Sequence, residues 1–199
     1  MSWQRADGGA RRKPRVCFLN ILPMKITLLT LLLACVGLAG MAQLRPDDKK
    51  SNVKFTIKNM GFEVDGSFRG LQGVIAFDPQ SPTAGSMDVT IDANTVNTDN
   101  NMRDSHLKDA DYFDTKNYPN IRFTSTKIAP AKGGYVITGK LTIKGKTKEI
   151  TFPFAATNNA EGITFTGSFK INRKDFGVGG TSIISNELEV KLNVVAVKA

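Results

Sequence analysis

The chain of 199 residues has few of the side chains on which metal binding and covalent catalysis usually depend. Its two cysteines, Cys17 and Cys35, and its one tryptophan, Trp3, all lie near the amino terminus. Residues 43–199 therefore contain no thiol and a single histidine, His106. In this part of the chain the composition excludes a disulfide scaffold, a zinc–thiolate site and a cysteine nucleophile. We expect neither a metal nor a cofactor.

A strong excess of basic residues is also missing from most of the chain. The formal charge of +9 comes from 27 Lys and Arg against 18 Asp and Glu, but residues 1–42 hold six of those basic residues and one acid. The remaining 21 basic and 17 acidic side chains give residues 43–199 a formal charge of only +4. The charge therefore does not indicate a nucleic-acid partner.

No apolar run is long enough for a typical membrane span. The run at residues 26–39 has fourteen residues, against the about 20 that a spanning helix needs. It follows Met24-Lys25 and ends before Gly40-Met41-Ala42, which puts small residues at positions −3 and −1 of a cut before Gln43. This is the pattern of a secretory signal peptide.

The sequence thus predicts a signal peptide region at residues 1–42, whose true start is either Met1 or Met24. Residues 43–199 are predicted to be a single exported domain, periplasmic or secreted, without a transmembrane span. Cys35 follows a loose lipobox match, so a lipid anchor at this residue is the less favoured alternative.

Beyond residue 50, apolar and polar residues alternate, which is the pattern of half-buried β-strands. Val53, Phe55 and Ile57 share one face of the first such segment. The pattern predicts strong strands at 52–58, 135–144, 163–172 and 187–196, and weaker ones at 64–68, 71–77, 86–91, 120–127 and 147–154. Residues 99–114 break the alternation. There we predict a short helix, capped by Asp99 or Asn100, that buries Met102, Leu107 and Tyr112.

About eight antiparallel strands must protect their edges, and closure into a barrel does this. We therefore predict an all-β barrel with a short helical insert, with a sandwich as the alternative. Gly73, Gly139 and Gly167 lie at mid-strand positions of the apolar face. They fit either tight curvature or space for a ligand inside the barrel, and the sequence leaves both open.

The densest polar group in the domain is Arg103, Asp104 and His106 in the predicted insert. These side chains could hold the polar head of a ligand at the barrel mouth, where arginine would suit an anionic group. Alternatively, Arg103 and Asp104 anchor the insert through buried hydrogen bonds. Arg173 is equally ambiguous, since it could pair with Asp175 or face a ligand.

Several segments, taken in order, resemble the YceI-like family of exported lipid- or polyisoprenoid-binding proteins over residues 51–197. They are SNVKF at 51–55, GVIAFD at 73–78, RDSHL at 103–107, YFD at 112–114, YPNIRF at 118–123, GKLTIKG at 139–145, NRKDFG at 172–177 and SNEL at 185–188. The resemblance implies a lipocalin-like antiparallel β-barrel of about eight strands. It also implies that the barrel holds a polyisoprenoid or another amphiphile, without catalysis. One departure is Asn59, where the family usually has a histidine.

The function we predict is that of a non-enzymatic protein that carries or sequesters a long-chain amphiphile. Each methylene group removed from water contributes about 0.8 kcal/mol, so an apolar lumen would bind a long tail tightly. The predicted cavity residues are Phe55, Ile57, Phe68, Phe77, Phe123, Tyr135, Ile137, Leu141, Phe165 and Phe169. The predicted polar mouth consists of Arg103, Asp104, His106 and Arg173.

Two other functions stay open at this point. In one, the protein is an enzyme acting on an amphiphile, with His106 as acid–base and Asp104 orienting it. This hypothesis lacks an identifiable nucleophile. In the other, the protein is a structural exported module with a filled barrel. The sequence also leaves open whether the protein forms a homodimer.

Overall fold

The structure, a computed structural model, describes residues 43–180 and 183–199; the predicted signal region lies outside them. Its strands are β1 (Gln43–Pro46), β2 (Asn52–Asn59), β3 (Phe62–Ala76), β4 (Ser86–Asn97), β5 (Asn120–Ala131), β6 (Gly134–Ile143), β7 (Lys146–Asn158), β8 (Gly162–Asn172) and β9 (Ile184–Lys198). Within the described residues there is one α-helix, α1 (Asn101–Lys108). Two short 3₁₀ turns lie at Pro82–Ala84 and Arg173–Phe176.

Strands β2 to β9 form a closed antiparallel barrel of eight strands, as predicted. Each strand pairs with the next along the chain, and the ring closes where β2 pairs with both β3 and β9. Closure leaves no long unpaired edge, which is the physical advantage of a barrel over a sandwich. The helical insert α1 lies between β4 and β5, also as predicted.

Strand β1 was not predicted, and it completes the wall where β2 is too short. β2 spans only part of its two long neighbours, β3 and β9. Beyond the start of β2, Leu44 of β1 pairs with Ile75 of β3 and with Lys198 of β9. A strand of four residues, of which Leu44 and Pro46 are buried, is too short for its alternation to be recognised in the sequence.

Strand β3 is continuous, although the sequence predicted two segments at 64–68 and 71–77. Its pairing with β4 shifts register on both sides of Arg69, and Gly70 has a φ of +75°. Side chains replace the interrupted ladder: Thr95 Oγ1 accepts a hydrogen bond from the Arg69 N–H, and an Asp48 carboxylate oxygen accepts one from the Leu71 N–H. The irregularity is therefore a supported β-bulge rather than a strand end.

One end of the barrel, which we call the floor, is closed by aromatic packing. Phe77, which follows β3, is 4 % exposed. Its ring meets Tyr135, Phe154 and Phe165 edge-on, with centroids 5.1, 5.8 and 5.4 Å away. Edge-on contacts between rings are favourable beyond the apolar area that they bury. The opposite end, which we call the mouth, carries α1 and the 3₁₀ turn at Arg173–Phe176.

Candidate functional site

The barrel encloses an apolar cavity of about 830 Å³ that extends from above the floor to the mouth. Its wall comes from the inward-facing residues of strands β2 to β9. Eight of the ten predicted cavity residues line it: Phe55, Ile57, Phe68, Phe123, Ile137, Leu141, Phe165 and Phe169. The two-residue alternation therefore identified much of the inner face.

Phe77 and Tyr135, the other two predicted cavity residues, do not line the cavity. They pack against each other in the floor, because Phe77 follows the end of β3 and Tyr135 lies near the start of β6. Alternation tells which face of a strand is apolar, but not how far along the barrel axis a residue lies. The structure therefore places these two rings beneath the cavity.

The wall includes residues that the prediction left out of the site. Phe152 of β7 lines the cavity, stacks on Phe169 with ring centroids 4.5 Å apart, and lies 5.7 Å from Phe123. Its place on the inner face of the weak 147–154 segment was the signal that could have found it. Four further lining residues lie on the predicted inner face of β9 and are only half-buried, because they face empty space: Leu188, Val190, Leu192 and Val194.

Of the three inner-face glycines, Gly167 lines the cavity, whereas Gly139 and Gly73 do not contribute open volume directly. A Cβ atom on Gly139 would lie 2.5 Å from Cζ of Phe123 and 2.7 Å from the carbonyl oxygen of Thr124. The Phe123 ring thus occupies the space of the missing side chain. At Gly73, where φ is +139°, a Cβ would meet backbone atoms of Asp88 and Val89. Close packing and curvature explain these two positions.

Helix α1 is held at the mouth by hydrogen bonds to β4 and its following turn. Asn100 is the N-cap, since its side-chain oxygen accepts a hydrogen bond from the Arg103 N–H at 3.0 Å. The buried Asp104 accepts hydrogen bonds from the backbone N–H and the hydroxyl of Thr98, at 2.9 and 2.5 Å. Arg103 donates to the Thr98 hydroxyl and carbonyl at 2.7 and 2.6 Å. Arg103 and Asp104 therefore anchor the insert.

The prediction that Met102, Leu107 and Tyr112 form the buried side of the helix was wrong at Met102, which is 84 % exposed. Met102 borders the mouth of the cavity. The helix buries Asp104 instead, while Leu107 and Tyr112 are half-buried. An apolar side chain can stay exposed here because the mouth is open rather than packed.

His106 does not pair with Asp104, contrary to the enzyme hypothesis. Its Nδ1 lies 3.2 Å from a carboxylate oxygen of Asp109, both side chains are about two-thirds exposed, and its ring lies 5.0 Å from that of Tyr112. His106 borders the cavity mouth, as do Arg103 and Arg173, whereas Asp104 does not. The histidine and its carboxylate are thus a solvent-exposed pair.

Arg173 also binds the protein itself. It is 5 % exposed and donates to the carbonyls of Val178, Gly179, Ile184 and Ser185 at 2.7 to 3.0 Å. These bonds tie the connection between β8 and β9 across the mouth. The sequence left Arg173 open between pairing with Asp175 and facing a ligand. The hydrogen bonds described here run to backbone carbonyls, and the residue borders the cavity.

Asn59 is one of the few polar strand residues in this mostly apolar wall, together with Lys54 and Thr166. It is the last residue of β2, it pairs with Phe62 of β3 and Ile184 of β9, and it lines the cavity. Across residues 43–180 and 183–199, no group of three or more His, Cys, Asp or Glu side chains could hold a metal ion. In the same ranges no helix has the length and apolar character needed to cross a bilayer. What the site can do chemically is enclose an apolar molecule.

Comparison with solved structures finds the same fold. The chain is similar to BcnA of Burkholderia cenocepacia, at 36 % identity and a TM-score of 0.72, covering 75 % of this chain and 98 % of that one. It also resembles a polyisoprenoid binding domain from Saccharophagus degradans, implicated in plant cell wall breakdown. That likeness has a TM-score of 0.62 over 80 % of this chain and 99 % of that one, but at 19 % identity it shows the fold alone.

Comparison of sequences identifies the family. A UPF0312 protein of Yersinia enterocolitica is 30 % identical over 180 residues, covering 84 % of this chain and 93 % of that relative. The family model of the YceI-like domain matches residues 44–196, from β1 to the end of the barrel in β9. The chain therefore belongs to the YceI-like domain family.

Proposed function

We propose that this protein binds a polyisoprenoid or another long amphiphile inside its barrel and carries or sequesters it without catalysis. The observation that supports this most directly is the apolar cavity of about 830 Å³, open at the mouth and closed at the floor. This volume lies within the range of about 300–1,000 Å³ typical of ligand pockets. A solved structure with the same fold is named a polyisoprenoid binding domain, which agrees with the proposal.

Desolvation supplies the affinity in this proposal. The wall carries aromatic and aliphatic side chains from all eight barrel strands, and each methylene group transferred to it from water contributes about 0.8 kcal/mol. The floor determines how deeply a tail enters, because Phe77 and its neighbouring rings block the axis. A tail therefore enters from the mouth and leaves its polar end there.

Binding rather than catalysis is favoured by the state of the polar side chains at the mouth. Asp104 is engaged by Thr98, and Arg173 by backbone carbonyls. His106 contacts Asp109 in a solvent-exposed position. An acid–base pair for catalysis would need a reacting group within hydrogen-bond reach and protected from water.

We also propose that residues 1–42 direct export and that residues 43–199 are the mature, periplasmic or secreted domain. The expected cut before Gln43 would leave β1 whole, including Leu44, which is buried between β3 and β9. Cleavage at this point would thus remove no strand of the barrel.

The decisive experiment is to purify the protein, extract it with organic solvent and analyse the extract by mass spectrometry. We expect a co-purifying amphiphile in the wild type. The variant Val190→Trp narrows the lumen from the half-buried wall of β9 and should reduce co-purification. Lys191→Trp, on the outer face of the same strand, is the matched control and should retain the lipid. Protein that is repeatedly empty and also fails to bind added prenyl lipids would contradict the proposal.

A further inference from the structure

The side-chain oxygen of Asn59 is buried in the cavity wall and has no hydrogen-bond partner. Among the side chains that the structure describes, it is the one buried polar atom in this condition. Buried polar groups are nearly always hydrogen-bonded, because burial without a partner forfeits the hydrogen bonds that water would make. An unpartnered oxygen in a ligand cavity therefore needs a specific explanation.

The fold itself does not require an amide at this position. The backbone of Asn59 pairs with Phe62 and Ile184, so the side chain is not needed to replace a missing ladder bond. Its neighbours on the wall, Ile57, Val64 and Ile184, are apolar. A residue of similar volume without polar atoms would fill the same space and remove the cost.

Several other polar side chains at the mouth end have partners within the protein. Asp104 accepts hydrogen bonds from Thr98, and the Asn100 side chain accepts one from Arg103. Arg173 is bound to four carbonyls. Asn59 Oδ1 has no such partner. The atom itself is buried, but a turn of the amide about its side-chain bonds would bring it into the cavity that the residue lines.

We infer that the Asn59 amide turns towards the lumen when the amphiphile binds and that its Oδ1 then accepts a hydrogen bond from a hydroxyl group of the ligand. The preferred ligand is therefore a long-chain alcohol. This inference rests on the proposed function. Asn59 precedes the hairpin at Met60-Gly61, so a hydroxyl bound there lies at the mouth end of the lumen while the tail extends towards Phe77. A ligand without a hydrogen-bond donor leaves the amide oxygen unpaired, so the protein binds such a ligand less tightly.

The test measures affinity for two probes that differ only in the donor: geranylgeraniol and its methyl ether. Both would displace a fluorescent apolar dye from the wild type, Asn59→Leu and Asn52→Leu. Asn52 is an exposed residue at the other end of the same strand and serves as the matched control. We expect the wild type and Asn52→Leu to bind the alcohol about tenfold more tightly than the ether, a difference of about 1.4 kcal/mol. Asn59→Leu should lose this preference by weakening only the alcohol.

The outcomes separate this inference from the proposed function. If neither probe binds the wild type, the proposed prenyl-chain carrier is wrong and the inference fails with it. If both probes bind the wild type equally, the carrier stands but the hydroxyl preference is refuted. This comparison needs only the wild type, so it holds even if Asn59→Leu does not fold. If Asn59→Leu keeps the full preference for the alcohol, another residue binds the hydroxyl and the assignment to Asn59 is wrong.

Discussion

At the floor of the barrel Phe77 is 4 % exposed and contacts three other rings, whereas at the mouth Phe62 is 77 % exposed and Met60 71 %. Both ends belong to the same strands, since Phe62 begins β3 and Phe77 follows its last residue. The floor is closed by apolar packing. The mouth is held by hydrogen bonds that Asp104 accepts from Thr98 and by those that Arg173 donates to backbone carbonyls.

This contrast explains how one barrel can be both stable and hollow. Apolar packing stabilises because the side chains fill the available space, so a ligand cannot enter through a packed floor. Hydrogen bonds are directional and fix a loop through a few atoms, so they order the mouth while leaving the lumen free. Stability should therefore depend most on floor residues, and binding most on wall and mouth residues.

Removing a floor ring should give the largest effect. Phe77→Ala deletes a buried ring and leaves a cavity beneath the lumen, and we expect the free energy of unfolding to fall by about 3–5 kcal/mol. Phe62→Ala, at the exposed end of the same strand, should change it by less than about 0.5 kcal/mol. Urea unfolding of both variants measures the comparison. Equal losses would mean that the two ends do not differ energetically.

The mouth should depend on hydrogen bonds instead. Arg173→Met keeps an apolar stem but removes the donors to the carbonyls of Val178, Gly179, Ile184 and Ser185. We expect a loss of about 2–3 kcal/mol, because buried carbonyls lose their partners. Faster hydrogen exchange should be confined to the mouth, including the amides of Val178 and Gly179.

The control for this variant is Arg122→Met, which removes an exposed arginine on the outer wall and should leave the free energy of unfolding almost unchanged. If Arg173→Met accelerated exchange equally in floor strands, the mouth would not be a separate stabilising unit.

Much of this barrel could be predicted because its strands are half-buried. A closed sheet with one apolar face imposes strict alternation, and the segments at 52–58, 135–144 and 163–172 correspond closely to β2, β6 and β8. The predictions failed where a feature depends on contacts between strands rather than on the pattern within one strand. Leu44 belongs to a strand only because β3 and β9 extend beyond β2, which no local pattern records.

The candidate site divides in the same way. Alternation placed Phe55 and Phe169 on the inner face, but could not distinguish a cavity wall from the floor where Phe77 and Tyr135 pack. Likewise the composition of the insert suggested a ligand head site at Arg103 and Asp104, whereas Thr98 engages both. Such partners come from tertiary contacts, and residue types alone do not give them.

The variant Asn59→Leu should show that a binding residue at the mouth end lowers the stability of the ligand-free protein. In protein free of ligand, Asn59→Leu removes an unpartnered buried oxygen, and we expect the free energy of unfolding to rise by about 1–2 kcal/mol. Asn52→Leu, on the outer face, should change it by less than about 0.5 kcal/mol. Thermal unfolding of delipidated samples makes the measurement. A destabilised Asn59→Leu would indicate that the amide supports the fold.

The smallest effect should come from charges on the outer wall, between the two ends. Arg122 donates hydrogen bonds to both carboxylate oxygens of Asp88, at 2.9 and 2.6 Å, and this holds the pKa of Asp88 below its ordinary value. A lowered pKa means that the folded state favours the carboxylate, so the stabilisation is complete above the ordinary pKa and is lost as pH falls through the lowered one. Because both side chains are about half exposed, solvent screening limits it to about 0.5 kcal/mol.

Urea unfolding of the wild type and Asp88→Asn measures this contribution. The wild type should be more stable near neutral pH by that small amount. The difference should vanish in acid, once the pH has fallen through the lowered pKa of Asp88, and it should shrink in high salt. Because an exposed ion pair is independent of both ends of the barrel, it should add to the effects of Phe77→Ala and Arg173→Met without coupling to either. A difference as large as that of Arg173→Met would mean that the outer surface stabilises the barrel as much as its mouth does, and the contrast between buried and exposed arginines would fail.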